Sequence, residues 1–173
     1  MDASEHDALC ANFFDNINIS KDSVVAAYWP IERELDTHFI IDEILDRGAK
    51  LALPVIDKDT RILKFAQYTH SSELVSGAFG VCHPIVNEQT QWLSPEIFIV
   101  PMLAFDRRGA RLGFGGGYYD ATLAHYKKDK DIIAVGLAYA EQACLFNLPT
   151  EDHDIKMDWV ITQQSAHNYK GNI

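Results

Sequence analysis

The sequence predicts an α/β fold, a three-layer sandwich in which helices cover both faces of a mostly parallel central sheet. Three observations predict it. The length of 173 residues suits one domain. Helical patterns alternate with short apolar segments along the chain. Those segments are apolar at consecutive positions, as strands buried on both faces require. We therefore expect a single, Rossmann-like domain over residues 1–173.

The first half of the chain alternates as this fold requires. Residues 4–16 have apolar positions at helical spacing after a Ser4-x-x-Asp7 capping pattern. A second helix is predicted from a cap at Thr37 to a glycine stop at Gly48. Three short apolar segments are predicted to be strands, at residues 24–28, 51–55 and 63–67.

The second half continues the pattern. Residues 97–100 predict a central strand that closes on Pro101, and a long glycine-rich loop follows it. A helix at 118–127, a strand at 132–138 and a last strand around 159–162 complete the prediction. Open α/β sheets bind ligands at the carboxyl ends of their strands. We therefore expect the chemistry in the loops after Tyr28, Val100 and Ala138.

Composition and charge exclude several classes of partner. The chain has 25 acidic residues against 15 lysines and arginines, for a formal net charge of −10. That balance opposes binding to nucleic acid or to anionic membranes, which depends on cations. No apolar run approaches the ~20 residues of a membrane helix, and no secretory signal is readable. The widely spaced Cys10, Cys82 and Cys144 are expected to be small buried hydrophobes of a cytoplasmic protein.

Four of the ten glycines lie between positions 113 and 117, directly before a predicted helix. Glycine permits positive φ, so successive N–H groups can point at one anion, and the helix dipole adds to the same point. A phosphate cradle and a tight connection without a ligand explain the glycines equally well. Dinucleotide and Walker fingerprints do not fit, because Tyr118 replaces a required glycine and no Gly-Lys precedes Ser or Thr.

Polar residues around this loop have two interpretations each. Arg111 can offer a fork of donors to a phosphate or lie on the surface. Asp120 either interacts favourably with the helix dipole or binds a hard cation such as Mg²⁺. Neighbouring Tyr118 and Tyr119 diverge by ~100° on a helix, so one is expected to pack inward while the other lines a pocket. Elsewhere, Asp36 is expected to be a capping or surface acid, and the acidic run at 151–154 a solvated face.

The segment Arg111-Leu112-Gly113-x-Gly115-x-Gly117-Tyr118-Tyr119-Asp120, preceded by Pro101 and Phe105-Asp106, resembles a known signature. It is that of the 5-formyltetrahydrofolate cyclo-ligases, also called methenyltetrahydrofolate synthetases. Upstream, Glu34-Leu35-Asp36-Thr37 resembles the family's acid-x-acid-Thr segment. Downstream, two later motifs match in order: Gly136-Leu137-Ala138-Tyr139 with Gln142, and His153-Asp154 with Asp158.

The resemblance implies an ATP- and Mg²⁺-dependent enzyme that converts 5-formyltetrahydrofolate to 5,10-methenyltetrahydrofolate, with release of ADP and phosphate. In this family, ATP phosphorylates the formyl oxygen, the second folate nitrogen attacks the activated carbon, and phosphate leaves. The expected partners are these small molecules alone, and we expect a monomer.

The family's site residues transfer to matching positions. Arg111 and Tyr118 are expected to be catalytic, and Asp120 and Asp154 to bind Mg²⁺. Trp29 and Glu34 are expected to contact folate. The ATP phosphates are assigned to Arg111, Leu112, Gly113, Phe114, Gly115, Gly116, Gly117, Tyr118 and Tyr119. Folate is also expected to face Phe114, Gly115, Gly116, Gly117 and Tyr118.

The chain departs from the family at its start. Family members usually open with a basic helix that helps to bind ATP, whereas residues 1–20 contain four acids and no lysine or arginine. We expect a late start or the loss of that part of the ATP site. Each charge-assisted hydrogen bond contributes about 1.5–3 kcal/mol, so two lost cations predict a high Michaelis constant for ATP. A member that binds folate without turnover, and a non-folate enzyme on the same scaffold, are the alternatives.

Overall fold

Three helices and thirteen strands alternate along residues 3–31 and 34–171, which the computed structural model describes. The helices are α1 (Ala3–Asn16), α2 (His38–Asp46) and α3 (Tyr118–Tyr126). The strands are β1 (Val24–Ala26), β2 (Lys50–Val55), β3 (Lys64–Tyr68), β4 (Leu74–Ser76), β5 (Cys82–Pro84), β6 (Trp92–Leu93), β7 (Ile97–Val100), β8 (Ala104–Asp106), β9 (Arg111–Leu112), β10 (Ile133–Leu137), β11 (Ala143–Cys144), β12 (Trp159–Ile161) and β13 (Ala166–Asn168). Short 3₁₀ turns occupy Ala78–Gly80 and Ala140–Gln142.

Eight strands form the central sheet, in the order β13-β12-β10-β7-β1-β2-β3-β6. The five strands from β12 to β2 are mutually parallel. Antiparallel strands extend the sheet at both edges, β13 on one side and β3 with β6 on the other. A mostly parallel centre with antiparallel edges is common in large α/β sheets. The predicted fold class is confirmed.

Helices cover both faces of this sheet, and consecutive residues of each strand pack on opposite faces. In β7, Ile97 and Ile99 join one core cluster with residues of α1 and α2. Phe98 and Val100 of the same strand join a second cluster with Leu123 of α3. Because both faces are covered, β7 is buried at every position. This is the three-layer sandwich that the continuous apolar segments predict.

The predicted helices and major strands lie within one or two residues of the observed ones, whereas the predicted cap at Ser4 is wrong and that at Thr37 is confirmed in position only. Helix α1 begins at Ala3, so Ser4 lies inside its first turn. Thr37 is the N-cap residue of α2 as predicted, but its side chain makes no capping hydrogen bond, because the buried hydroxyl donates to the carbonyl of Tyr28 at 2.8 Å. The end of α2 is as predicted, with Gly48 at a φ of 79° after the last helical turn.

Several strands were missed because two or three residues show no periodicity. The long loop after β7 contains the β8–β9 hairpin, and β11 joins it in a three-stranded sheet. Strand β12 was predicted to be the last one, yet β13 returns beside it. The cysteines were expected to be buried, whereas Cys10, Cys82 and Cys144 are free and half-buried. Within the described ranges, no helix is long and apolar enough to cross a membrane.

Candidate active site

Loops at the carboxyl ends of β1, β7 and β10 meet at one edge of the sheet, because these strands are parallel neighbours. Glu34 lies in the loop after β1, and the glycine-rich segment follows β7 through the β8–β9 hairpin. Gln142, after β10, donates from its side-chain amide to the carbonyls of Met102 and Leu103 at 2.8 and 3.0 Å. The predicted loops therefore form one site.

A buried carboxylate holds the β8–β9 hairpin in place. Asp106 is 1% exposed and accepts hydrogen bonds from the backbone N–H groups of Arg108, Ala110 and Leu148. The Arg108 guanidinium pairs with it at 2.9 Å and donates to the Leu148 carbonyl at 2.7 Å. Burial raises the pKa of Asp106, but these hydrogen bonds outweigh it and lower the pKa below its ordinary value. The hairpin is thereby fixed to the segment that precedes Asp154.

The glycine-rich segment from Gly113 to Gly117 presents its backbone to solvent. Gly115 and Gly117 have φ angles of 89° and 68°, which side-chain-bearing residues rarely adopt. Phe114, Gly115 and Gly116 are exposed. Gly117 is the N-terminal cap of α3, so the segment leads into the positive end of the helix dipole. Such a backbone can bind an anion.

Arg111 and Asp120 form a largely buried ion pair beneath this segment. Arg111 Nη2 lies 3.0 Å from Asp120 Oδ1, and the side chains are 5% and 14% exposed. The same Oδ1 accepts the Ile155 N–H at 2.8 Å, while Oδ2 has no partner among the described residues. Arg111 Nε is buried and also unpartnered. The alternative of a surface arginine is therefore wrong.

Asp120 and Asp154 line one cleft of about 80 Å³, and Arg111 lines it with them. Asp154 is half-buried and accepts the Glu151 N–H at 2.8 Å through Oδ2. The rest of the acidic run is exposed, as the solvated-face interpretation expects. The cleft is lined by Ala110, Arg111, Asp120, Thr150, Glu151, Asp154, Ile155 and Lys156.

This donor set fits Mg²⁺. No cluster of three or more potential metal ligands exists among the described residues. Mg²⁺ takes only one or two carboxylates when phosphates and water complete its shell. Asp120, with a free carboxylate oxygen, and Asp154 in the same cleft provide that number.

Tyr119 lies between the Arg111–Asp120 ion pair and the loop after β1. Burial raises its pKa most, the Glu34 carboxylate raises it further, and the Arg111 guanidinium lowers it. Tyr119 therefore lies within electrostatic range of both charged groups. Burial also raises the pKa of Glu34, against a hydrogen bond from the Ile31 N–H at 3.0 Å. The structure thus brings Glu34 close to the residues around the glycine-rich segment.

Trp29 lies on the same side and is half-buried. Its ring is 4.3 Å from that of His38 and 5.5 Å from that of Tyr68. Asp36 accepts the His38 N–H at 2.9 Å and pairs with the His38 ring at 2.7 Å. Asp36 is therefore the capping and surface acid that the sequence indicated.

The two tyrosines after Gly117 do not take up the two different positions that the sequence predicted. Both Tyr118 and Tyr119 are half-buried and pack against the same core cluster. The exposed Phe79, at a φ of 57°, places its ring 6.1 Å from that of Tyr118. Aromatic contact at this distance covers one side of Tyr118. Tyr118 therefore lies between the core and Phe79.

Two neighbours of the glycine-rich segment were missed by the sequence analysis, Phe79 and Arg61. Phe79 lies in a short turn between β4 and β5, where no motif points to it. Arg61 follows β2, whose carboxyl end lies beside that of β1. That position was the available signal, because loops after adjacent parallel strands converge.

Comparisons with known proteins agree with the motifs. The sequence profile of the 5-formyltetrahydrofolate cyclo-ligase family matches residues 2–163. The 5-formyltetrahydrofolate cyclo-ligase of Haemophilus influenzae is 35% identical over 136 residues, covering 77% of this chain and 72% of that protein. The Escherichia coli protein of the same name is 35% identical over 144 residues, covering 80% of this chain and 76% of its own length.

Solved structures show the same architecture. The NMR structure of Aquifex aeolicus 5,10-methenyltetrahydrofolate synthetase matches with a TM-score of 0.74 and 29% identity, covering 96% of this chain and 81% of that one. The Mycoplasma pneumoniae 5,10-methenyltetrahydrofolate synthetase matches with a TM-score of 0.68, covering 94% of this chain and 90% of that one. Its 19% identity is evidence of the fold alone.

Proposed function

The chain belongs to the 5-formyltetrahydrofolate cyclo-ligase family, and on that premise we propose that it makes 5,10-methenyltetrahydrofolate from 5-formyltetrahydrofolate and MgATP, releasing ADP and phosphate. One observation carries the proposal. The buried Arg111–Asp120 pair and Asp154 border one cleft, and Arg111 Nη1 also lies 3.1 Å from the position of a β-carbon on Gly113, at the start of the exposed glycine-rich segment. This arrangement suits a phosphate chain and its metal ion.

The nucleotide phosphates are assigned to the backbone from Gly113 to Gly117 and to Arg111. The segment's solvent-facing N–H groups and the start of α3 favour negative charge. Arg111 supports this role because its Nε is buried without a partner, although buried donors are normally satisfied. Asp120 and Asp154 would hold Mg²⁺, which neutralises phosphate charge when bound.

The folate is assigned to the side of the site that carries Trp29 and Glu34. The half-buried carboxylate of Glu34 can accept hydrogen bonds from the N–H groups of a pterin ring. The Trp29 ring offers an apolar surface next to it. Phe114 lies within the glycine-rich segment, and Tyr118 directly follows it. The two substrates would therefore meet over that segment.

The chemistry places few covalent demands on the protein. The formyl oxygen attacks the terminal phosphorus of ATP, and the bond to the leaving ADP oxygen breaks. The second folate nitrogen then attacks the activated formyl carbon and loses its proton, and the carbon–oxygen bond breaks as phosphate leaves. The protein's task is to align the reacting atoms and to stabilise the charge on the transferred phosphoryl group. Arg111 and Tyr118 are assigned to that task.

Spectroscopy tests this function, because the methenyl product absorbs light that the formyl substrate does not. Purified protein with folinate, ATP and Mg²⁺ should develop the methenyl chromophore, and omission of ATP should prevent it. Folinate that binds without the chromophore would identify a folate-binding member without turnover. Absence of any thermal shift with folinate would indicate a non-folate enzyme on the same scaffold.

A monomer that acts in the cytoplasm remains part of the proposal. Three free cysteines suit a reducing compartment, where disulfides rarely persist.

A further inference from the structure

Arg61 extends from the loop between β2 and β3 to the start of α3. A β-carbon built on Gly117, the N-terminal cap of α3, would lie 3.4 Å from Arg61 Nη1. The guanidinium therefore borders the end of the glycine-rich segment, although the two residues are far apart in the sequence. Asp120, an assigned metal ligand, lies in the first turn of the same helix.

The backbone of Arg61 is tethered to that helix. Thr122 of α3 is fully buried, and its hydroxyl accepts the Leu63 N–H at 2.9 Å. The same hydroxyl donates to the Arg61 carbonyl at 3.5 Å. Thr122 lies two residues after Asp120. The same turn of α3 therefore carries the assigned metal ligand and anchors the backbone of Arg61. The approach of Arg61 to Gly117 is thus part of the folded architecture.

No group within the described ranges neutralises Arg61. Its guanidinium makes no hydrogen bond or ion pair there, although Asp57 and Asp59 lie in the same loop. Instead it lies beside the N-terminus of α3, which carries roughly half a positive charge. Two positive groups in contact repel each other unless an anion lies between them. The local electrostatics therefore favour a bound anion at this point.

A second guanidinium borders the other end of the segment. A β-carbon on Gly113 would lie 3.1 Å from Arg111 Nη1, and Arg111 Nε is buried without a partner. We propose that Arg61 binds the terminal phosphates of the nucleotide opposite Arg111, an inference that rests on the proposed function. Terminal phosphates suit this end of the site, because metal ions in phosphoryl transfer bridge the β and γ phosphate oxygens.

Arg61 supplies positive charge at the α3 end of the glycine-rich segment, where helix α1 and Arg108 supply none. Helix α1 contains no lysine or arginine between Ala3 and Asn16. Arg108 lies near the segment in sequence, but it is occupied by Asp106 and the Leu148 carbonyl. Arg61 is exposed and has no such partner among the described residues.

Steady-state kinetics of Arg61→Ala, Arg61→Lys and Lys58→Ala test this inference. Lys58 is a matched control, since it is an exposed cation of the same loop and its removal changes the net charge equally. We expect Arg61→Ala to raise the Michaelis constant for ATP about tenfold or more. The Michaelis constant for folinate should stay within about twofold of the wild-type value. The Michaelis constant of Arg61→Lys for ATP should lie between those of the wild type and Arg61→Ala, because lysine keeps the charge without the planar fork. Lys58→Ala should match the wild type.

Two results would overturn the inference. An unchanged Michaelis constant for ATP in Arg61→Ala would remove Arg61 from the phosphate site. A rise for folinate instead of ATP would show that Arg61 holds the folate carboxylates. Calorimetric titration of each variant with MgATP separates this from a failure of the proposed function. Wild-type protein that forms no methenyl product contradicts the function, while weaker MgATP binding by Arg61→Ala still supports the role of Arg61.

Discussion

Asp106 and Glu34 are both withdrawn from water, yet the pKa of one falls and the pKa of the other rises. Asp106 accepts three backbone N–H bonds and an arginine pair, which favour its charged form. Glu34 has one backbone hydrogen bond, from Ile31, and burial dominates. An ionised Glu34 therefore opposes folding at neutral pH. That pattern is typical of a group kept for ligand binding rather than for stability.

Asp106→Asn should lower the free energy of unfolding by about 3 kcal/mol at pH 7. The substitution removes the ion-pair partner of Arg108, and it replaces the carboxylate that accepts the N–H bonds with an uncharged amide. A carboxyl group whose pKa is lower in the folded state stabilises that state at pH values above the pKa the group has in the unfolded chain. That stabilisation is lost as the pH falls through the folded pKa. The difference between wild type and variant should therefore shrink below about pH 3.8, the ordinary value for aspartate. Urea unfolding at several pH values measures it, and a difference that grew in acid would contradict this account.

Asp154→Asn tests the metal assignment against a neighbour in the same acidic run. The amide oxygen can still accept the Glu151 N–H, but the negative charge is lost. At limiting Mg²⁺ we expect turnover to fall about 100-fold, with partial recovery at high Mg²⁺. Asp152→Asn changes an exposed position, and its turnover should depend on the Mg²⁺ concentration as that of the wild type does. Equal effects of both substitutions would indicate general electrostatics rather than a metal ligand.

At the scale of elements, the glycine-rich segment and the end of α2 share one backbone conformation but differ in role. Gly115 has a φ of 89°, and a β-carbon added there would meet no heavy atom within 4 Å. Gly48 has a φ of 79°, and the nearest neighbour of an added β-carbon would lie at 3.8 Å. Left-handed backbone should therefore destabilise both alanine variants by about 1 kcal/mol. Only Gly115 borders the space assigned to phosphate.

Gly115→Ala should raise the Michaelis constant for ATP about tenfold, because its β-carbon enters the assigned phosphate space and strains the segment. Gly48→Ala should lose similar stability and keep the wild-type value. Thermal unfolding together with ATP kinetics compares the two variants. If both changed ATP kinetics equally, the effect would come from stability rather than from the segment.

The elements that the sequence predicted are those with long apolar patterns. Helix α2 and strands β2, β7 and β10 bury apolar residues over several positions, so periodicity locates them. Strands β8, β9 and β11 have only two or three residues and depend on partners distant in sequence. Thr37 was assigned to a cap because local spacing cannot show that its hydroxyl bonds the Tyr28 carbonyl instead.

At the scale of the whole molecule, motifs located most of the candidate site but not its packing. The motif residues Arg111, Asp120 and Asp154 do border one cleft. The sequence could not show that Arg108 is occupied by Asp106, nor that Arg61 reaches Gly117. Both facts depend on the order of strands in the sheet. Patterns within one sequence predict the helices and strands but not the order of the strands in the sheet.

The net charge of −10 also has a different meaning in three dimensions. An acidic protein can bind anionic substrates where a few cations are concentrated and water is excluded. Here Arg61 and Arg111 border the two ends of one exposed glycine-rich segment. The overall charge opposes binding to nucleic acid, whereas these two local cations leave ATP as a possible ligand.

Quenched single-turnover measurements test the central claim most directly, with excess protein, folinate and MgATP. Methenyl product, ADP and inorganic phosphate should appear in equal amounts, and none should form when folinate is left out. Phosphate released without methenyl product would show an ATPase that is not coupled to folate. Methenyl product formed without phosphate would contradict the phosphoryl-transfer chemistry assigned to this site.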